Sequence, residues 1–188
     1  MKRLALAFVA LLAAAPLTPA AALEEPSPPD SGLRLAPESI ALATYHGQTI
    51  DLREGWGDAQ ACHTDEHAVT TCFDSEAEMD EFLASGEPGA SGFRRNALTN
   101  CSTSLRLYDN ISYGTPVWST LLRFNVISLS TVGFDNRTTS YRVGACSATF
   151  WQGAAASGAV YPGNTSAGAQ FPNMVTGWNN TVSSVYLA

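Results

Sequence analysis

Two stretches of the chain read Gly133-Phe134-Asp135-Asn136-Arg137-Thr138-Thr139-Ser140-Tyr141-Arg142-Val143 and Gly177-Trp178-Asn179-Asn180-Thr181-Val182-Ser183-Ser184-Val185-Tyr186-Leu187. One offset of 44 residues relates them through eleven positions: a glycine, an aromatic, an Asp/Asn pair, then hydroxyl residues and a hydrophobic one. Chance is a poor explanation for agreement of that length. Upstream, the same offset pairs Gly114 with Gly158, each a few residues after an aromatic, Tyr108 in one case and Phe150-Trp151 in the other. Two copies of a unit of roughly 40 residues follow. Apolar residues come in short alternating runs, among them Leu105, Leu107, Val126, Ile127, Leu129, Tyr141 and Val143, broken by Gly, Asn, Ser and Pro. Such a pattern predicts strands and loops.

With its repeated Asn/Asp-Asn/Asp-x-x-Ser/Thr-Ser hexapeptides at Asp135–Ser140 and Asn179–Ser184, and an upstream aromatic and glycine in each copy, the region resembles the βγ-crystallin superfamily of secreted bacterial type. The resemblance covers about residues 96–188. It implies an all-β, two-Greek-key sandwich. One departure stands out: Tyr108 to Gly114 is one residue shorter than Trp151 to Gly158, which leaves the register of the first hairpin open.

Calcium is a hard cation that takes six to eight oxygens from carboxylate, amide, hydroxyl and backbone carbonyl groups, and the two hexapeptides carry all four kinds. The resemblance implies that the loops exchange ligands across a paired site. Carried over, Asp135, Asn136 and Thr139 come from one loop and Asn179, Asn180 and Ser183 from the other. Carbonyls of Arg137, Thr181, Asp109 and Gln152 add to the shell, while Ser140 and Ser184 hold the loops through backbone hydrogen bonds. Asp135 is the one carboxylate in the two hexapeptides, so an affinity of ~10⁻⁵ to 10⁻³ M, weak to moderate, is expected. The expected function is a secreted, non-enzymatic calcium-binding protein whose fold the metal stabilises. The alternative is a secreted inhibitor of an extracellular metalloprotease on the same fold, with Thr115–Thr120 or Tyr161–Pro172 as the presented loop.

The rest of the chain is different in character. Residues 24–95 hold fifteen of the seventeen acidic residues against Arg34, Arg53, Arg94 and Arg95, whereas 96–188 hold Asp109 and Asp135 against four arginines. This asymmetry suggests two units. Prolines 26, 28, 29 and 37 among Glu, Ser and Asp make 23–37 read as a flexible leader, and the Gly/Pro/Ser-rich 86–95 reads as a linker. Between them, 38–85 is expected to be a small acidic module. Ile40–Tyr45 with Gln48–Leu52, and Ala59–His63 with Ala68–Phe73, read as two hairpins. Ser75 and Glu78 form a capping box that starts a helix from about Glu76 to Ala84. Cys62 and Cys72 near the ends of the second hairpin should form a disulfide, which a module this small needs, and Cys101 should pair with Cys146.

Lys2 and Arg3, an apolar run Leu4–Ala15 and the small residues before Leu23 read as a signal peptide, 1–22, cleaved near Ala22. The run is too short for the roughly 20 residues that span a bilayer, so no membrane insertion is expected. A formal charge of -7 argues against a nucleic-acid partner. His63, Asp65 and His67 are metal-ligand types, but in a hairpin turn they read as solvated turn residues. Phosphate-binding loops, Gly-x-Ser-x-Gly and His-Glu-x-x-His are missing from the sequence, and three histidines leave little acid–base machinery, so no enzymatic activity is expected.

Overall fold

The computed structural model describes residues 33–85 and 101–188. The signal peptide, most of the leader and the 86–95 linker lie outside the described residues. The first repeat supplies β6 (Leu105–Asn110), β7 (Gly114–Thr120), β8 (Asn125–Ser128) and β9 (Ser140–Arg142). The second supplies β10 (Ala148–Gly153), β11 (Ser157–Val160), β12 (Gln170–Phe171) and β13 (Ser184–Leu187). Strands β6, β7 and β9 share one sheet, and β10, β11 and β13 the other. The third strand of each repeat crosses over: β8 pairs with β13, and β12 pairs with β9. Two Greek keys thus complete each other's sheets, and neither repeat can close its core alone. Leu105, Leu107, Trp118, Ile127, Leu129, Phe134, Tyr141, Phe150, Val182 and Val185 fill the space between the sheets, all nearly inaccessible to water. Tyr141 meets Phe150 edge-on, with ring centroids 5.2 Å apart, a geometry that the aromatic quadrupoles favour.

The expected register of the repeat is corrected in the hairpins. Each is closed by a single 3-10 turn, Ile111–Tyr113 or Ala154–Ala156, and the strand pairs are Asn110 with Gly114 and Gly153 with Ser157. Gly114 is therefore the counterpart of Ser157, not of Gly158, and an offset of 43 holds there, as it does for Tyr108 and Trp151. The glycine at 158 adopts φ +76°, whereas Gly114 does not.

The acidic segment is not a separate module, contrary to the expectation drawn from its charge. Strands β2 (Leu42–Tyr45), β3 (Gln48–Asp51), β4 (Ala61–Thr64) and β5 (Thr70–Phe73) and helix α1 (Glu76–Ser85) appear where the hairpin and capping patterns put them. However, β4 runs parallel to β7, Ala61–Thr64 against Val117–Thr120, so that the sheet continues to eight strands in the order β12-β9-β6-β7-β4-β5-β2-β3. The described residues, 33–85 and 101–188, belong to one compact unit. The end of the supposed leader is also ordered, because β1 (Arg34–Leu35) pairs in parallel with β8. Both additions cover strand edges that would otherwise present unpaired N–H and C=O groups.

Helix α1 lies on the outer face of the larger sheet. Met79 and Leu83 pack with Ala61, Phe73, Tyr108 and Val117 in a second, smaller core. Its acids face a base: the Arg106 guanidinium donates to Glu76 at 2.6 Å and also pairs with Asp80, and Tyr108 Oη donates to Glu76 at 2.7 Å. Burial and the Glu76 carboxylate push the Tyr108 phenol well above its usual range. The charge asymmetry is thus a complementarity across one interface. Ser75 Oγ accepts the Glu78 N–H, as a capping box requires, while the Glu78 carboxylate reaches Asp74 N at 3.0 Å, one residue before the cap. Both expected disulfides are present, Cys62–Cys72 directly across the β4–β5 ladder and Cys101–Cys146.

Candidate functional site

The two hexapeptides lie side by side, tied by reciprocal backbone bonds: Asn136 N–H donates to Val182 O at 3.0 Å and Asn180 N–H to Thr138 O at 2.9 Å. The donors belong to residues in the left-handed region, Asn136 at φ 54° and Asn180 at φ 58°, where asparagine is tolerated far better than branched side chains. The last serine of each loop holds its own hairpin. Ser140 Oγ donates to Asn110 O at 2.6 Å and accepts Tyr113 N–H at 3.1 Å; Ser184 Oγ does the same with Gly153 O at 2.6 Å and Ala156 N–H at 3.1 Å. These hydroxyls bear out the role expected of them. They secure turns in which Ser112, Tyr113, Ala155 and Ala156 all take positive φ.

The fifth positions differ between the loops. Ser183 Oγ lies 3.3 Å from Asn136 Oδ1, reaching from the second loop into the first, with Ser183 N–H bound to Trp151 O at 2.8 Å. The Asn136 amide is itself oriented by Asp135, whose Oδ2 accepts Nδ2–H at 3.0 Å, leaving Oδ1 turned to Ser183. Asn136, Ser183 and Asp135 are therefore one group. Thr139 Oγ1 instead donates to its own side of the pair, to Asp109 O at 2.8 Å, and Thr139 N–H to Tyr108 O at 2.9 Å. Asn179, Asn180 and Gln152 are exposed, and Thr181 Oγ1 donates to Trp178 O at 2.9 Å.

Arg137 was expected to offer a carbonyl; its side chain is the larger presence. Nε and Nη2 donate to Asp109 Oδ2 at 3.1 and 2.8 Å, and Nη1 donates to Gly133 O at 3.0 Å. The guanidinium carbon stands 5.0 Å from the Phe134 ring centroid and 5.5 Å from that of Trp56. Trp56, in the loop after β3, was given no part at the site by sequence reasoning. Its Nε1–H donates to Val132 O at 2.8 Å and its ring stacks on Phe134. The chain here approaches so closely that a Cβ on Gly133, already at φ +64°, would sit 2.2 Å from Leu52 O. The Gly-aromatic pair that begins each repeat signature could have pointed to this contact.

His63 and Asp65, expected as solvated turn residues, are instead buried. His63, on β4, is 2% exposed and its Nδ1 lies 2.5 Å from Ser119 Oγ. Burial pushes its pKa down to about 3, with the Arg106 charge adding to the shift. Asp65 accepts the backbone N–H groups of His67 and Val69, both at 2.9 Å, as an Asx turn does, and His67 is exposed. Among the described residues no three His, Cys, Asp or Glu side chains gather as a metal cluster. Thr115–Thr120, one of the two candidate inhibitory loops, is corrected to a strand: it lies in β7, hydrogen-bonded to β6 on one side and β4 on the other. Tyr161–Pro172 is largely loop, pinned by Tyr141 Oη donating to Asn164 O at 2.8 Å and by Ala148 N–H donating to Thr165 O at 2.9 Å.

No family model and no curated protein matches the chain. Solved structures that resemble it include a βγ-crystallin from Ciona intestinalis, 19% identical, covering 46% of this chain and 100% of that one with a TM-score of 0.39. A βγ-crystallin domain from Clostridium beijerinckii is 20% identical over 45% of this chain and 97% of its own, with a TM-score of 0.39. The N-terminal domain of protein S is 19% identical over 46% and 96%, at 0.38. The exchanged third strands and the paired loops define the fold of this chain. The fold is βγ-crystallin-like. To it this chain adds the β2–β5 strands, β1 and α1.

Proposed function

We propose that the protein is a secreted, non-enzymatic calcium-binding βγ-crystallin-like protein, in which the metal bridges the two hexapeptide loops and stabilises the fold. The observation that carries this reading is the cross-loop approach of Ser183 Oγ to Asn136 Oδ1 at 3.3 Å, beside the Asp135 carboxylate. Amide, hydroxyl and carboxylate oxygens that converge from two chain segments, with the Gln152 carbonyl on the adjoining strand, are the donor chemistry that a hard dication takes. A metal there would join loops contributed by both repeats and add to the interlock of the exchanged strands. Two disulfides suit an oxidising compartment, and no helix among the described residues is long and apolar enough to cross a membrane.

Calorimetric titration with calcium, alongside thermal melts, tests this. Binding to the folded state alone stabilises by RT ln(1 + [Ca²⁺]/Kd), about 2.7 kcal/mol at a hundredfold excess over Kd. Ser183→Ala and Asn136→Ala should each lose most of that calcium-dependent gain, while Ser166→Ala, outside the loops, should keep it. A wild-type protein whose melting temperature ignores millimolar calcium would leave the loops as structural turns and sink the proposal.

A further inference from the structure

We propose that Arg137 is a resident cation. Its guanidinium is bound to the carboxylate of Asp109, the residue whose carbonyl accepts the Thr139 hydroxyl, and so puts a fixed positive charge in the Asp109–Thr139 half of the loop pair; the chain then binds one calcium, in the Asn136–Ser183 half, and not two. The inference deepens the calcium reading and rests on it.

The repeat makes the two halves comparable position by position: Asp109 with Gln152, Arg137 with Thr181, Thr139 with Ser183, Asn136 with Asn180. In the Asn136–Ser183 half the counterpart of Arg137 is a neutral residue. There the third position of the loop is Thr181, whose hydroxyl donates to the loop's own Trp178 carbonyl. In the other half, three guanidinium bonds converge on Asp109 Oδ2 and Gly133 O, at 2.8–3.1 Å. These are carboxylate and carbonyl oxygens, the kind calcium would seek, and they are already answered by a cation. Thr139 Oγ1 turns to Asp109 O and not across to the second loop. A second positive ion at that half would face a guanidinium already held by Asp109, by the Gly133 carbonyl and by two aromatic rings.

The aromatic surroundings favour the resident over the visitor. Phe134 and Trp56 lie against the guanidinium, and aromatic faces attract a weakly hydrated planar cation, whereas calcium needs six or more oxygens that rings cannot give. Trp56 comes from the segment between β3 and β4, so Arg137 also braces that segment against the first loop. The result is asymmetric: one half of the pair is closed by a permanent charge and the other left open to an exchangeable one.

Isothermal titration of the mature full-length protein with calcium chloride reads the stoichiometry. The wild type should bind one calcium. Arg137→Thr, which installs the residue that the second repeat has at 181, should bind two, and Arg137→Lys, which keeps the charge, should bind one. Because Arg137→Thr also removes the brace on Trp56, Arg137→Gln is made in parallel, since its amide can still donate to Asp109 while carrying no charge; it too should bind two. Two calcium ions on the wild type, or no gained site in the neutral variant that melts cooperatively, overturns the proposal. A wild type that binds none, with a neutral variant that gains one, would refute the Asn136–Ser183 site while upholding the exclusion by Arg137. Ser183→Ala in the neutral background should remove one of the two sites and leave the other.

Discussion

Acid should destabilise this protein well before its carboxylates titrate, and the cause is one buried imidazole. His63 is 2% exposed, and burial pushes its pKa from 6.5 to about 3. Its Nε2 is buried without a hydrogen-bond partner, so a proton there would meet no acceptor and would add charge to an interface that already holds Arg106. Between pH 6.5 and 3 the unfolded chain carries this proton and the folded chain does not. The unfolded state therefore binds more protons, and stability must fall as pH falls, by roughly 1.4 kcal/mol per unit. Over the two units from pH 6.5 to 4.5 the loss is about 3 kcal/mol; above 6.5 the His63 contribution is complete and flat. His46 opposes this, because its hydrogen bond to Asp74 raises its pKa, so it contributes stability that is present below 6.5 and lost as pH rises through its folded value. Urea unfolding at half-unit steps from pH 7.5 to 4.5, in a His46→Asn background, isolates the slope. His63→Leu should be less stable at pH 7 through altered packing, yet flat across the window. If the His46→Asn protein is equally flat, or grows more stable towards pH 4.5, the placement of His63 in a dry interface is wrong.

Trp56→Ala removes a 6% exposed ring, its bond to Val132 O and its stack on Phe134, and should cost about 3–5 kcal/mol, read by chemical denaturation. The m-value should stay unchanged, since the sandwich still unfolds as one unit. A fragment of 101–188 alone should lack a cooperative thermal transition or associate through its β7 edge, because β4 and α1 no longer cover it; a sharp melt like that of the whole chain would show that the repeats are self-sufficient.

What could be read from the sequence was what is encoded locally. The period-two runs, the capping box at Ser75 and the hexapeptides each specify a few neighbouring dihedrals and hydrogen bonds, and each appears where expected, down to the Ser140 and Ser184 hydroxyls that hold the hairpins. Cys62 and Cys72 also follow from a local fact, since a short hairpin leaves them opposite one another. The twofold pattern of the loops was legible as well, but not its asymmetry: that Ser183 reaches across while Thr139 turns back depends on what surrounds Arg137, and Trp56 is far away in the chain.

The misreading of the acidic segment has the same origin. A parallel pairing such as β4 with β7 leaves no mark on either strand beyond apolar content, and it is closed over more than fifty residues of chain, so no spacing announces it. The acids looked like a boundary because charge was counted along the chain and not across space, where Glu76 and Asp80 meet Arg106. A segment that supplies one strand to the smaller sheet, four to the larger and a helix to the outer face is bound to the repeat domain by its backbone as well as by its side chains. Removing it would uncover both the β7 and the β8 edges. Those two edges explain why the segment is tied down at two places, by β1 on the smaller sheet and β4 on the larger. Trp56 between them closes the span over the first loop, so that whatever steadies that loop, the guanidinium or a metal, also steadies the segment packed on it.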